Sequence, residues 1–463
     1  MNRKFLASLF IFRRDLRIED NTGLIFALKS SEIVIPAFIF TPEQIEKNPF
    51  GSAHCLKFMI ECLQDLEGQL KGKGGKLYFF KGNPEEIADR CLSKLKIEAL
   101  IVNRDYTPYS QERDKSLEKV CKKRDVSFFS FDDALLLSPE ETLKKDGKPY
   151  TIFTPYFRNA LKQEVLSPTR NLRTNYFHGS IPFAEETSLL LKILSKQKVK
   201  NDLVGGRAAA LKILKNLSSL GKYKQLRDFP AESYSTHLSP YLKFTVCSPR
   251  EIYAAICSDL SLHHELVRAL YWRDFFTGIA FFFPHVFKGA FHPKFGRLKW
   301  SKDRKAFQRW CSGTTGFPIV DAGMREMNQT GFMHNRTRMI VASFLVKDLG
   351  LDWRWGEKYF AQTLIDYDPA VNNGNWQWVA GTGCDAAPYF RIFNPWNQQK
   401  KFDPECVYIK KWVPELRHLT PKTIHRWYEN KYHPECPAYS PPMINHEKAA
   451  RKTLLAYKSA SRV

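Results

Sequence analysis

The chain has 463 residues, 43% apolar and 26% charged, which excludes a mostly disordered polypeptide and supplies material for two or three domains. Lys and Arg number 71 against 48 Asp and Glu, a net charge of +23. That excess favours a polyanionic partner, most simply nucleic acid, over a merely solvated surface.

The first strand is expected at Phe5–Phe12. This run is not expected to act as a signal peptide, because Arg13, Arg14, Asp15 and Arg17 follow at once, without a small-residue cleavage site. Ile33–Phe40 reads as a second strand, rich in β-branched residues. Leu56, Met59, Ile60, Leu63, Leu66 and Leu70 form one stripe of a helix over Ser52–Leu70. Leu77–Phe80 is a third strand, and Asn83-Pro84-Glu85-Glu86 opens a helix with Asn as cap and Pro in the first turn. Ala99–Val102 and Val126–Phe131 read as strands flanking a helix at Gln111–Arg124. This alternation predicts a doubly wound α/β domain with a parallel sheet over residues 1–132. Between 133 and 198 five prolines interrupt the pattern, as in a long connection with short helices. From Asn201 the helical period dominates, in Ala208–Leu220, Pro249–Leu260, Leu262–Ile279, Asp303–Cys311, Met324–Thr330, Arg336–Leu349, Trp355–Ile365 and His446–Lys458. A larger all-α domain over 199–463 is therefore expected. The ten cysteines form no C-x-x-C pair and read as free thiols, and no apolar stretch spans a membrane, so the expected location is the cytoplasm.

Neither a phosphate-binding G-x-x-x-x-G-K-[ST] loop nor a G-x-G-x-x-G fingerprint is present, and no His/Cys spacing suggests a metal site. The densest chemistry runs from Leu364 to Lys401. Asp366 and Asp368 flank a turn before Pro369; Asn372, Asn373, Gly374 and Asn375 follow, then Trp376-Gln377-Trp378. Polar turn residues beside Trp are poor core material and suit a flat, partly polar ligand, although a glycine-rich loop capping a helix has the same composition. Asn335, Arg336, Arg338 and Met339 lie on an apolar helix, where two arginines need acids, and Asp366 or Asp368 would suit. A third cluster, Tyr223 with Arg227 and Tyr234–Pro240, combines hydroxyls and turn amides that can hold a diphosphate, as well as merely cap helices.

Together these segments resemble the photolyase/cryptochrome family across essentially the whole chain. FIFRRDLRIEDNTGL (10–24), NRDYTPY (103–109), HLSPYLKFTVCSPR, YWRDFF, GFPIVDAGMREMNQTGFMHNRTRM, DYDPAVNNGNWQW and GTGCDAAPYFRIFNP carry the resemblance. It implies an antenna-type α/β domain, a linker, and a helical domain that binds FAD and drives blue-light electron transfer. GFMHNRTRM resembles the bacterial class I cyclobutane pyrimidine dimer photolyases: the branch that repairs 6-4 photoproducts carries histidines where this chain has Asn335 and Met339. The implied activity is repair of cyclobutane dimers in ultraviolet-damaged DNA by a monomer. A 6-4 photolyase, a cryptochrome-type photoreceptor without repair and, more remotely, a basic DNA-binding flavoprotein are the alternatives.

Carried over by position, the resemblance assigns FAD contacts to Tyr223, Ser235, Thr236, Leu238, Ser239, Arg338, Asp366, Asp368 and Asn372, with Asn372 facing flavin N5. It assigns lesion and DNA contacts to Arg227, Trp272, Asn335, Arg336, Met339, Trp378, Arg391 and Gln398. Trp376, Trp353 and Trp300 match the family's electron relay. Two positions depart from the pattern. Ala269 stands where relatives carry Glu or Gln to hydrogen-bond a thymine, and Ser110 stands near an acidic position of folate-binding relatives. A second, antenna chromophore is thus left open between deazaflavin, folate and flavin.

Overall fold

The structure is a computed structural model and describes residues 4–46, 48–232, 234–429 and 434–461. Five parallel strands form one sheet: β1 (Phe5–Phe12), β2 (Ser31–Phe40), β3 (Tyr78–Lys81), β4 (Ala99–Asn103) and β5 (Ser127–Phe131), in the order β3-β2-β1-β4-β5. β1 is central, with Phe10 in register with Pro36 on one side and Ile101 on the other. Its near-continuous burial is what a parallel sheet covered on both faces demands. The expected strands and helices of this region all form. The helix Thr22–Ser30 was not anticipated; its apolar run lies between two strands, and its start is fixed by Asn21, whose side chain accepts from the Leu24 amide.

The chain order reverses between β1 and β4, where an α/β sheet opens a crevice at the carboxyl ends of its strands. Arg13 and Arg14 follow β1 there. Arg13 donates to the Asn103 carbonyl and pairs with Asp114, and Arg14 lies 3.5 Å from Asp105. Burial, with Arg13 alongside, pulls the Arg113 guanidinium down to about 10. Ser110 is buried in the first turn of the helix Pro108–Lys123 and donates to Asp105 at 3.1 Å.

Behind this edge lies a closed charge network. Arg17 donates to Asp133 at 2.6 Å and to the Thr245 carbonyl at 3.0 Å. Arg250 donates to Asp133 at 2.9 Å and to Asp20 at 3.0 Å. Asp133 also accepts from the Thr22 amide and hydroxyl. Burial opposes the charge on Asp133, yet Arg17 and Arg250 hold its carboxyl at about 2.

Residues group into two compact units, Met1–Leu220 with Thr236–Pro284, and Gly221–Ser235 with His285–Val463. These cut across the expected segments 1–132, 133–198 and 199–463: the helices Arg207–Leu214, Pro249–Asp259 and Glu265–Phe282 belong to the first unit. The connection contains the short helices Phe153–Ala160 and Ser188–Ser195.

The second unit is helical, built on a core that includes Trp310, Val341, Phe344, Trp353, Phe360, Trp376 and Trp427. Two expectations need correction here. The helix expected at Met324–Thr330 starts earlier, at Pro318, and ends on left-handed Gly331. The residues Asn372, Asn373, Gly374 and Asn375, read as polar turn, lie in a helix, Pro369–Ala380. Asp368 caps it by accepting from the Ala370 and Val371 amides, and Pro369 pre-sets the first turn, so three Asn and a Gly do not prevent it. Left-handed Gly381 ends it. All ten cysteines are free thiols. Among the described residues no helix is long and apolar enough to cross a membrane.

Candidate functional site

The site is best built from the helix Pro369–Ala380 outward. Asp366 and Asp368 precede it, and Asn372 follows one turn in. Arg338, on the helix Asn335–Ser343, donates two parallel hydrogen bonds to Asp366, at 3.1 and 2.9 Å, and a third to the Met333 carbonyl. The acid that pairs with Arg338 is therefore Asp366, while Asp368 is the helix cap. The pair is unevenly buried: the Asp366 side chain is 3% exposed and that of Arg338 24%. Asn372 donates to the Glu357 carbonyl at 3.3 Å.

Glu357 itself was missed in the sequence. It sits on the buried stripe Trp353–Gly356–Glu357–Phe360 of the helix Trp353–Thr363, where a carboxylate is out of place. That misplaced charge was the available signal. Burial raises its carboxyl to about 7, against the opposing hydrogen bonds of Asn372 and Asn373. Trp376 and Trp353 are each 2% exposed, and Trp300 packs half-buried on the same core. Trp376 meets Phe360 at 4.9 Å and Trp310 at 6.2 Å. Its ring lies so close to Gly356 that a Cβ there would come within 2.1 Å of it, so only glycine lets these two helices approach.

An amide, two carboxylates and a guanidinium on neighbouring turns, beside a buried indole, offer a flat heteroaromatic ring both polar contacts and an apolar wall. The residues present thus fit a flavin ring. Of the remaining expected contacts in this unit, Tyr223 and Ser235 are half-buried, and Arg227 lies 5.8 Å over the Tyr223 ring. In the first unit, Thr236 accepts from the Leu238 amide, Leu238 is buried, and Ser239 begins the short helix Ser239–Lys243.

The expected DNA-contacting residues are placed unequally. Asn335 and Arg391 are exposed; Met339 and Trp378 are half-buried. Gln398 is half-buried, and its Oε1 has no hydrogen-bond partner among the described residues. Arg336 is already engaged: it pairs with Asp228 at 2.7 Å and lies 4.3 Å over Phe402. A phosphate at Arg336 must compete with that carboxylate. Trp272, on the helix Glu265–Phe282, is half-buried.

His334 caps the helix Asn335–Ser343 through the Arg336 amide. Its own amide donates to Glu326, a buried carboxyl raised by desolvation that also accepts from Tyr408. Glu326 therefore fixes the entry of the chain into the segment bearing Asn335, Arg336 and Arg338. Its position, four residues before Thr330 in a polar stretch, gave no sign of this in the sequence.

Comparison with known proteins finds relatives along nearly the whole chain. The family described as DNA photolyase matches residues 8–172, and that described as the FAD binding domain of DNA photolyase matches residues 266–459. A deoxyribodipyrimidine photo-lyase of Alkalihalophilus pseudofirmus is 36% identical, over 96% of this chain and 97% of its own length. That of Escherichia coli is 34% identical, over 97% and 98%. Among solved structures, an archaeal photolyase from Sulfolobus tokodaii with two FAD molecules is 40% identical with a TM-score of 0.88, covering 98% of this chain and 100% of the other. A bacterial class III photolyase from Agrobacterium tumefaciens is 34% identical with a TM-score of 0.90, covering 100% and 99%. A Synechocystis cryptochrome is 27% identical, with a TM-score of 0.87 over 98% and 100%. With an α/β sheet, a helical flavin-type site and relatives matched over nearly their whole length, the chain belongs to the photolyase/cryptochrome family and carries its FAD-binding domain.

Proposed function

We propose that this enzyme repairs cyclobutane pyrimidine dimers in DNA under blue light. The observation that carries the reading is the constellation of Arg338, Asp366, Asn372 and Trp376 next to a helix start that presents Asn335 to solvent. When bound and reduced, FAD supplies the photoexcited electron that opens the dimer and recovers it afterwards. The chain's own residues orient and shield. Arg338, Asp366 and Asn372 would hold the flavin, and a neutral amide at Asn372 would spare the reduced ring the repulsion a carboxylate would exert. Trp376, Trp353 and Trp300 carry electrons inward from the surface to restore the reduced cofactor. In the second unit, Trp378 offers a ring face to an extruded dimer with Met339 alongside, and Arg227, Asn335, Arg336, Arg391 and Gln398 hold the strand; in the first unit, Trp272 offers a ring face of its own. Extrusion costs a few kcal/mol, least for a base pair the lesion has already distorted.

Asn335 and Met339 favour cyclobutane dimers over 6-4 photoproducts, because the histidines of the latter branch are missing. The name shared by the curated relatives supports the same substrate. A second chromophore is proposed at the carboxyl ends of β1 and β4. The two FAD molecules of the Sulfolobus tokodaii photolyase support a flavin there, ahead of deazaflavin or folate. We read the protein as a cytoplasmic monomer. One experiment tests the activity: purified protein, chemically reduced, is given an oligonucleotide containing a thymine dimer, in light and in darkness. Repair is expected only in light. Failure on that substrate with success on a 6-4 oligonucleotide selects the other branch, and failure on both selects the photoreceptor.

A further inference from the structure

Outside the flavin-type site, a close ring pair joins the connecting segment to Trp272. Phe153, the first residue of the helix Phe153–Ala160, lies flat on the Trp272 indole, centroids 3.6 Å apart and planes 6° apart. Aromatic rings more often meet edge-on or offset at 4.5–7 Å, so a near-parallel stack this close fixes the plane of the indole. Arg268 sits one turn before Trp272 on its helix, and its guanidinium lies 4.8 Å over the same Phe153 ring and 5.2 Å over Phe157. Indole and guanidinium thus both contact the Phe153 ring. The result is a ladder, Arg268–Phe153–Trp272, held by stacking and by cation–π attraction. Phe275 meets the indole edge-on at 5.7 Å, and Phe276 lies 5.3 Å away, tilted by 31°. Trp272 nevertheless stays half-buried, and Ala269, one turn away, is exposed and offers no polar group.

We infer that Phe153 is a positioning residue for the lesion: it locks Trp272 so that its remaining open surface is a preformed stacking platform for an extruded pyrimidine. This rests on the reading of Trp272 as lesion-facing and deepens it. With Ala in place of Glu or Gln at 269, no side chain there accepts the thymine imide hydrogen, and affinity in this chain leans on a ring held in place beforehand. Preorganisation of that kind raises affinity by removing the cost of ordering the ring on binding.

The test is a double-mutant cycle on dimer-containing and undamaged oligonucleotides, with binding as the readout. Phe153→Leu removes the stack, Phe153→Tyr keeps it, and Trp272→Ala removes the platform. Phe153→Leu is expected to weaken binding to dimer DNA about two- to tenfold, the range of an aromatic pair. Binding to undamaged DNA, bound FAD and its photoreduction should be unchanged. Phe153→Tyr should bind like the parent, and in the Trp272→Ala background Phe153→Leu should cost nothing more. If Phe153→Leu binds dimer DNA like the parent while Trp272→Ala does not, the positioning role is refuted and the lesion-facing reading stands. If Trp272→Ala also binds like the parent, that reading fails and the inference falls with it. Equal losses on damaged and undamaged DNA, or an additive cycle, would mean a merely structural contact and overturn the proposal. Where Leu impairs folding, Phe153→Tyr still tests the stack, because its failure to bind like the parent refutes it.

Discussion

Two arginine–aspartate clusters of similar chemistry serve opposite ends. Around Asp133, Arg17 and the carboxylate are both fully buried, and Asp133 takes its hydrogen bonds from Arg17, Arg250 and Thr22. Around Asp366, the carboxylate is nearly as buried but Arg338 keeps 24% of its side chain exposed. The first cluster is closed on itself and ties the strand end to the helix Pro249–Asp259. The second keeps one edge open, in keeping with the ligand-holding role proposed for it. A buried ion pair is weak evidence of net stability, yet removing one partner is costly, because the other charge is left stranded.

That contrast can be broken by substitution. Asp133→Ala removes the carboxylate of fully buried Arg17 and leaves Arg250 with Asp20 alone, and is expected to cost about 3–5 kcal/mol in urea unfolding. Asp366→Ala leaves an arginine that reaches water and should cost only about 1 kcal/mol, while bound FAD, read by its absorbance, is lost. Equal costs at the two sites would erase the distinction between a structural and a ligand-holding cluster. Trp376→Phe then separates fold from function inside the second unit. It should cost about 1–3 kcal/mol of packing and abolish photoreduction of bound oxidised FAD, but spare repair when the flavin is reduced chemically beforehand; photoreduction equal to the parent's would refute the relay.

Lys347 gives the comparison a third, smaller case. It is buried without a carboxylate, donates to the Ala380 and Tyr389 carbonyls, and lies 3.7 Å over the Tyr457 ring. Burial lowers it to about 7, below its unfolded value near 10.5. Between those values the unfolded chain binds more protons, so stability rises with pH from 7 towards 10, by up to about 1.4 kcal/mol per unit. Lys347→Met should flatten that rise in urea titrations at pH 7, 8 and 9. The smallest effect is expected at Arg336, whose charge is shared with Asp228. If it also neutralises a phosphate, Arg336→Ala lowers the slope of log K against log salt by about 0.9. An unchanged slope with weaker binding would place it as a brace for the 221–235 segment.

Much of the α/β region was legible because local signals agreed there. Strand runs of apolar residues, the Asn83-Pro84 start and helix stripes each pointed to one answer. The segment 369–380 misled because Asn and Gly argue against a helix, whereas the Asp368 cap and tertiary packing of Trp376 against Gly356 override that propensity. Arg338 with an acid was foreseeable, since two arginines on an apolar helix need partners. Which acid each one takes, Asp366 for Arg338 and Asp228 for Arg336, depends on long-range geometry that spacing does not encode. Glu326 and Phe153 were silent for the same reason: their roles are made by partners distant in the chain.

The interleaving of the two units has a consequence for how the protein is made. Gly221–Ser235 belongs with residues from His285 onward, so it leaves the ribosome well before the helices it joins. Asp228 and Phe229 meet Arg336 and Phe402, more than a hundred residues later. At about 5–20 residues per second, that segment waits roughly 5–35 s for its partners. The first unit can close around Thr236–Pro284 during that interval, leaving the short loop tethered at both ends. Vectorial synthesis thus completes the sheet-bearing unit first and holds the loop that carries Tyr223 and Arg227 in reserve until the last third of the chain arrives.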